Sequence, residues 1–402
     1  MSFHGAFTKV LRPSRISRTP RRILVISYGA FSGIRDSMIR SLERCGCDVI
    51  HTEHSLRFLP LRPFYAALIV IAAIVTYQTR FRSHLDHTSI AQWVHRRANQ
   101  AIVRKADRVE AVISLKLTAN PCPNDDLPSA VVTDHMNLLS KRAPNFGLEL
   151  PERATNPSWN TWEQIALVSQ DYLFPLSHYV GESMIHDYGI DPRKVVAIGA
   201  GANLDVDAGR DAITKDSSKQ NILFVGLEAD RKGLPDLLSA FRSFSKVYPG
   251  ARLDIVGVVG IGGHGIHYHG QLTGEPLKRL FYEAHVMVMP TLREPFGIVF
   301  LEAMWARAVC IGTNRFAIPE FIDDGVTGYL VEPRMPEEIA SRLLALFSDP
   351  SKLANMAELA YQRARKNWSW DIAASKLLNA MFDDTFTYPI TTTEEMNANT
   401  LT

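Results

Sequence analysis

The sequence predicts an α/β protein made of two doubly wound parallel-sheet lobes facing each other across a cleft. Three observations lead there. Short β-like apolar runs alternate with longer helical runs, twice over along the 402 residues. A polar stretch without apolar period, Gly201 to Gln220, separates the two series. In each series the first strand runs into a glycine-bearing loop and then a helix. Strands alternating with helices argue for parallel sheets. In such sheets ligands bind outside the carboxyl ends of the strands, which puts the site in the cleft.

The first series opens with "RILVISYG", Arg22–Gly29, and passes through the glycine loop into the helical "GIRDSMIRSLERCG". Strands "DVIHTE", "EAVIS", "SAVVTD" and "YLFPLS" follow, then the helix "HYVGESMIHDYG" and a strand "VVAIGAG". Leu59 to Lys105 reads mostly helical. Within it "FYAALIVIAAIVTY", Phe64–Tyr77, carries no charge, yet falls short of the roughly 18–20 apolar residues that a membrane span requires. A buried core helix is the first expectation. Interfacial attachment is the second, with Arg62, Arg80 and Arg82 meeting anionic headgroups.

The second series runs strand "NILFVG", helix "LPDLLSAFRSFSKVY", strands "RLDIVG" and "IHYHG", helix "LKRLFYEA" and strand "VMVMP". A helix inside "LREPFGIVFLEAMWA", strands "AVCIGT" and "GYLVEP", and helices from near Pro336 and Ser351 complete it. The expected boundaries are a basic tail at 1–20, a first lobe at 21–203, a linker at 204–220, a second lobe at 221–370, a helix crossing back at 371–386 and a tail at 387–402. Both tails lack an apolar pattern and are expected to be disordered.

Composition narrows the function classes. Hydrophobic residues make up 46% and charged residues 21%, as in a soluble globular protein. A net charge of +2 gives no global reason to bind nucleic acid. The basic run Arg12, Arg15, Arg18, Arg21 and Arg22 is local and suits an anionic surface. Cys45, Cys47, Cys122 and Cys310 are too scattered for a disulfide framework or a zinc site, so a reducing, cytoplasmic setting is expected.

Two loops carry the chemistry. In "VGLEADRKGLPDLL" a strand ends at Gly226 and a helix starts near Leu234, which leaves Arg231 and Lys232 just before a helix N-terminus. The macrodipole disfavours cations there, and a bound anion, phosphate above all, would reverse that cost. Two solvated loop cations are the plainer alternative. In "LREPFGIVFLEAMWA" the strand ends at Pro290, and the loop carries Thr291 and Glu294. A helix is expected from about Pro295, with the amides of Phe296, Gly297 and Ile298 free for a ligand. Eight residues of helix separate Glu294 from Glu302 by roughly 12 Å. A retaining glycosidase pair needs about 5–5.5 Å and an inverting pair about 6.5–9.5 Å. The two carboxylates therefore suit the two ends of one long ligand better than a single scissile bond.

This glutamate pair resembles the E-x7-E element of GT-B retaining glycosyltransferases, family 4 (glycosyl transferases group 1). "FVGLEADRKG", "LKRLFYEAHVMVMPTLREPFGIVFLEAM" and "IPEFIDDGVTGYLVEP" occur in that family's order and spacing, and "FPLSHYVGESMIHDYGIDPRKVVAIGAGAN" supports it in the first lobe. The resemblance covers about Arg22 to Trp370 and implies two Rossmann-like lobes. It implies that Glu302 holds the donor ribose, that Glu294 holds the donor sugar, and that the backbone of Phe296, Gly297, Ile298 and Val299 serves sugar and diphosphate. Arg231 and Lys232 would neutralise the departing diphosphate. Many members carry an arginine right after the strand glycine, where this chain has Leu227, so that task falls on Arg231 and Lys232. In the family the loop with Gly29 and Gly33 faces the donor phosphates and the acceptor. Asp134 and His135 stand at a strand end where the family often has a His or carboxylate near the reacting carbon; helix capping by Asp134 is the alternative.

Two metal readings are set aside. Asp205-Val206-Asp207 lies in the linker rather than after a strand, and His264, His267 and His269 have no neighbouring carboxylate in sequence. The expectation is a metal-independent, cofactor-free retaining hexosyltransferase that moves a sugar from a nucleotide-diphosphate donor to a glycan, lipid-linked or small-molecule acceptor. Its expected place is the cytoplasm, with peripheral contact at the inner face of a membrane as an option. A GT-B epimerase or hydrolase, or a non-catalytic nucleotide-sugar-binding relative, is the alternative.

Overall fold

A computed structural model describes residues 20–29, 33–77, 88–116, 127–142, 146–149, 157–204 and 215–383. Most of the basic tail, the D-x-D stretch and the last residues lie outside them. The first lobe is built on five parallel strands: β1 (Arg22–Ser27), β2 (Asp48–Glu53), β3 (Ala111–Leu115), β4 (Ser129–Thr133) and β5 (Tyr172–Pro175), in the order β2-β1-β3-β4-β5. The second has six: β6 (Asn221–Val225), β7 (Arg252–Val256), β8 (Ile266–Tyr268), β9 (Val286–Met289), β10 (Val309–Thr313) and β11 (Gly328–Val331). Their order is β11-β10-β9-β6-β7-β8, again all parallel. Central strands such as β3, β4, β9 and β10 are buried along their whole length. Helices therefore cover both faces, and the strands read as unbroken apolar runs.

In the first lobe α1 (Ile34–Arg44) follows β1, and α2 (Arg62–Tyr77) and α3 (Ser89–Lys105) lie between β2 and β3. α4 (Asn137–Arg142), α5 (Pro157–Val168) and α6 (His178–Tyr188) surround β5. The second lobe adds α7 (Leu234–Val247), α8 (Gly274–Glu283), α9 (Ile298–Trp305), α10 (Ile318–Phe321), α11 (Pro336–Phe347) and α12 (Pro350–Asn367). The last helix, α13 (Trp370–Phe382), lies against α1. Arg44 pairs with Asp371 at 2.6 Å and the Arg21 guanidinium sits 4.2 Å from the Phe382 ring, which ties this helix to the first lobe.

Three expectations are corrected. Phe64–Tyr77 is helical but not a core helix: Ile69, Ala72 and Ala73 are buried while Phe64, Ile71, Ile74 and Val75 are exposed. "VVAIGAG" forms no strand; it runs beside β5 through Val196 N–H to Leu173 O and Ile198 N–H to Pro175 O, both near 3 Å. The helix of the E-x7-E stretch starts at Ile298 rather than near Pro295, because Gly297 caps it in the left-handed region at φ 93°.

Candidate active site

Each sheet has one point where the strand order reverses direction, and there the loops of two neighbouring strands diverge to leave a crevice. In the second sheet that point lies between β6 and β9. The loops leaving those two strands are the two that carry Arg231, Lys232, Thr291 and Glu294. In the first sheet it lies between β1 and β3, and the loop leaving β1 carries Gly29 (φ 64°) and Gly33 (φ 76°).

The two second-lobe loops are sewn together by backbone. Leu292 N–H donates to the Arg231 carbonyl at 2.8 Å, and the Thr291 hydroxyl donates to the same oxygen at 3.1 Å. Thr291 is wholly buried, and its own carbonyl accepts from the Thr313 hydroxyl. The Thr291 hydroxyl, which the sequence placed among the donor-binding groups, thus also fixes the two loops to each other. Gly233 (φ 74°) lets the first loop lie on the second: a Cβ there would stand 2.0 Å from the Pro290 carbonyl oxygen.

On this scaffold the charges converge. Lys232 Nζ is bonded to Glu294 Oε2, and Arg231 Nη1 lies 3.8 Å from that same oxygen. Arg231 also donates to the Arg293 carbonyl at 2.6 Å and to Glu228 Oε1 at 2.8 Å. These cations are thus held by partners rather than loose in solvent, contrary to the plainer alternative. Arg293, which sequence reasoning passed over, is a third cation here. Burial, with Arg231 beside it, lowers its pKa from the ordinary guanidinium value. It reaches across to the first lobe and donates to Glu149 O at 3.2 Å.

Glu302 does not share these partners. Its buried carboxylate accepts from the backbone amides of Asn203 and Leu204, where the chain leaves the first lobe, and burial pushes its pKa up to about 7 against the pull of those two bonds. Asn203 is a second residue without a sequence signal. Its side-chain oxygen accepts from Ser37 at 2.9 Å and from the Trp370 indole at 3.1 Å, and it closes over Gly33, where a Cβ would meet it at 2.8 Å. Phe296 packs its ring against Phe321 and Trp368, so only its backbone faces the loop. Ile298 and Val299 open α9, whereas Phe300 N–H is already bonded to Gly297 O.

Asp134 and His135 follow β4 on the first lobe, and His135 Nε2 is 2.9 Å from Ser140 Oγ. A third unpredicted residue is Glu320 at the head of the short α10. Its carboxylate turns onto the N-terminus of α6, accepting from His178 N–H at 3.0 Å and Tyr179 N–H at 2.8 Å. Burial pushes it, too, up to about 7. His269 pairs with Asp254 at 2.6 Å and His264 bonds the Pro249 carbonyl. Among the described residues no three His, Cys, Asp or Glu side chains are arranged to hold a metal ion.

Residues 205–363 match the family model "Glycosyl transferases group 1". Among similar curated proteins, a D-inositol 3-phosphate glycosyltransferase of Rhodococcus opacus is 26% identical over 54% of this chain and 54% of its own length. An uncharacterized glycosyltransferase of Methanocaldococcus jannaschii is 30% identical over 42% of this chain and 46% of its own. The chain thus spans about half the length of the curated relatives it matches. Among solved structures, a sucrose-phosphate synthase from Thermosynechococcus elongatus superposes with TM-score 0.64 at 16% identity, covering 89% of this chain and 97% of that one. WaaG, a glycosyltransferase involved in lipopolysaccharide biosynthesis, gives 0.61 at 15%, covering 90% and 100%. These likenesses span both lobes and show the GT-B fold.

Proposed function

We propose that this chain, whose second lobe belongs to glycosyl transferases group 1 and whose two lobes form a GT-B fold, transfers a sugar from a nucleotide-diphosphate donor with retention of configuration. The observation that carries this reading is the Lys232–Glu294 pair, with Arg231 beside it, held at the reversal point between β6 and β9. A diphosphate in that crevice would meet two fixed cations and the first amides of α9. Glu294, oriented by Lys232, would accept from donor-sugar hydroxyls, and Glu302 would serve the ribose end. Negative charge grows on the diphosphate as the sugar leaves. Cations already in place stabilise that charge more than the ground state and need no reorganisation. Asp134, His135 and the Gly29–Gly33 loop would line the acceptor side, and closure of the lobes would exclude water. A lipid-linked glycan is the acceptor class we favour, and no metal is assigned to the step.

The test has two stages. Nucleotide sugars are screened by thermal shift, since a ligand that binds only the native state raises its stability. The binding donor is then incubated with glycan and lipid-linked acceptors in EDTA. The expected product is an α- or β-glycoside with the donor's own anomeric configuration. Free or epimerised sugar would support the epimerase or hydrolase alternative, and unchanged donor a non-catalytic one. An inverted linkage or strict metal dependence would defeat the mechanism.

A further inference from the structure

We propose that α2, α3 and α5 form a docking face for an anionic lipid bilayer. The carrying observation is an apolar helix with two apolar sides, of which only one is covered. Ile69 of α2 packs into a cluster with Leu59, Ala91, Val94 and Ala98, from α3 and the turn before α2. On the other side Phe64, Ile71 and Val75 follow one another at helical spacing with Ile74 beside them, and they are 56%, 56%, 75% and 44% exposed. Trp93 of α3 continues this surface, 5.9 Å from the Tyr65 ring. Ile165 of α5 lies across a cavity of about 140 Å³ that Trp93 and Arg96 also line. Of the sixteen exposed large apolar side chains among the described residues, ten lie on or beside these three helices. Single exposed apolar residues need no explanation, but an apolar face spread over three adjoining helices marks an interaction surface.

Charge selects the occupant. The described residues from His54 to Lys105 hold Arg57, Arg62, Arg96, Arg97, Arg104 and Lys105 and no acid, and the one acid of α5, Glu163, is buried. The Arg97 guanidinium lies 4.5 Å over the Trp93 ring, an amphipathic pair suited to headgroup depth. A second copy of the chain would set this cationic field against its own image. A bilayer with anionic headgroups takes up the apolar side chains and the arginines together. No helix among the described residues is long and apolar enough to cross a membrane, so α2 lies in the plane of the interface.

The same helices are braced to the cleft. Asn99 of α3 accepts from the Tyr28 hydroxyl at 2.7 Å and meets His54 Nδ1 at 2.8 Å, and His54 Nε2 is 2.9 Å from His95 Nδ1. Tyr28 and His54 directly follow the carboxyl ends of β1 and β2. A membrane-anchored acceptor would therefore be presented at the rim of the cleft. That last step rests on the proposed transfer reaction, whereas the docking does not.

Vesicle co-sedimentation of the full chain tests the docking with no nucleotide sugar present. The chain should sediment with vesicles of equal parts phosphatidylglycerol and phosphatidylcholine, and far less with pure phosphatidylcholine. Phe64→Ser with Ile71→Ser should lower partitioning about tenfold. Arg96→Ala with Arg97→Ala should lower it and flatten its dependence on salt. Phe64, Ile71 and Arg97 are exposed and Arg96 is half-buried, so each pair should stay folded with an unfolding midpoint close to wild type, and a donor-induced thermal shift should persist. Unchanged partitioning of the Phe64/Ile71 pair, or equal binding to neutral vesicles, would overturn the proposal. So would a dimer, seen by sedimentation velocity, that the same pair dissolves without any vesicle binding. If the chain proves not to transfer sugar, vesicle binding is untouched.

Discussion

The Lys232 side chain is 12% exposed and its partner Glu294 9%, so removing the ammonium strands a carboxylate whose next cation, Arg231, is 3.8 Å away. A stranded buried charge is costly, and in a crevice built for a diphosphate it would also repel the ligand. Lys232→Ala should therefore lower kcat by about 10²-fold, the usual scale for losing one pre-placed electrostatic group, with a smaller loss of donor affinity. Glu302→Ala should act in the opposite proportion, weakening donor binding about tenfold through one or two lost hydrogen bonds. It also frees the Asn203 and Leu204 amides. Calorimetric Kd values beside single-turnover rates separate the two effects, and near-wild-type transfer by both variants would remove the basis for the site. At this scale the sequence was informative wherever a residue type carried its meaning in its neighbours. Glu294 and Lys232 lie in short motifs, while Arg293 went unnoticed because an arginine beside a glutamate is unremarkable until its reach to Glu149 is known.

Among the elements, the loop between β6 and α7 is decided by one backbone angle. Gly233 sits at φ 74°, and its Cα faces the Pro290 carbonyl so closely that a Cβ would overlap it at 2.0 Å. Neither the angle nor the overlap can relax without parting the two loops that carry Lys232 and Glu294. Gly233→Ala should cost about 3 kcal/mol or more, from left-handed strain together with a backbone clash. Gly250→Ala, where nothing lies within 4 Å, should stay within about 0.5 kcal/mol of wild type. Urea unfolding of both variants checks this, and equal midpoints would refute the loop argument. The elements themselves were legible because strands buried on both faces read as continuous apolar runs. The start of α9 was misplaced by three residues because Pro295 is a strong helix-start cue, whereas a left-handed Gly297 cap shows only in the backbone. The fate of α2 was illegible for a different reason. A helix apolar all round has no period to say which side stays bare.

The way the lobes meet is the least legible feature of the whole molecule, since its contacts join residues 142 and 144 positions apart, as Glu320 to His178 and Arg293 to Glu149 do. Glu320 makes this junction responsive to pH. Burial raises its carboxyl from 4.5 to about 7, opposed by the two amide bonds from α6 and by nearby Lys376, with Glu182 adding to the rise. A raised folded-state pKa means that the folded protein keeps a proton which the unfolded chain loses between pH 4.5 and 7. Its contribution to stability is then complete below about pH 4.5, declines as pH rises towards 7 and stays flat above. The size is on the order of 3 kcal/mol. Glu302 shifts in the same direction, and other carboxylates titrate in the same range, so the wild-type profile alone cannot isolate the effect. Glu320→Gln keeps the shape and one acceptor oxygen but cannot ionise. Measured by urea unfolding at each pH, the stability difference between wild type and this variant should move against wild type by on the order of 3 kcal/mol between pH 4.5 and 8. A difference that stays level across that range would mean that Glu320 remains ionised against the α6 amides throughout, and the junction would then be an ordinary helix cap.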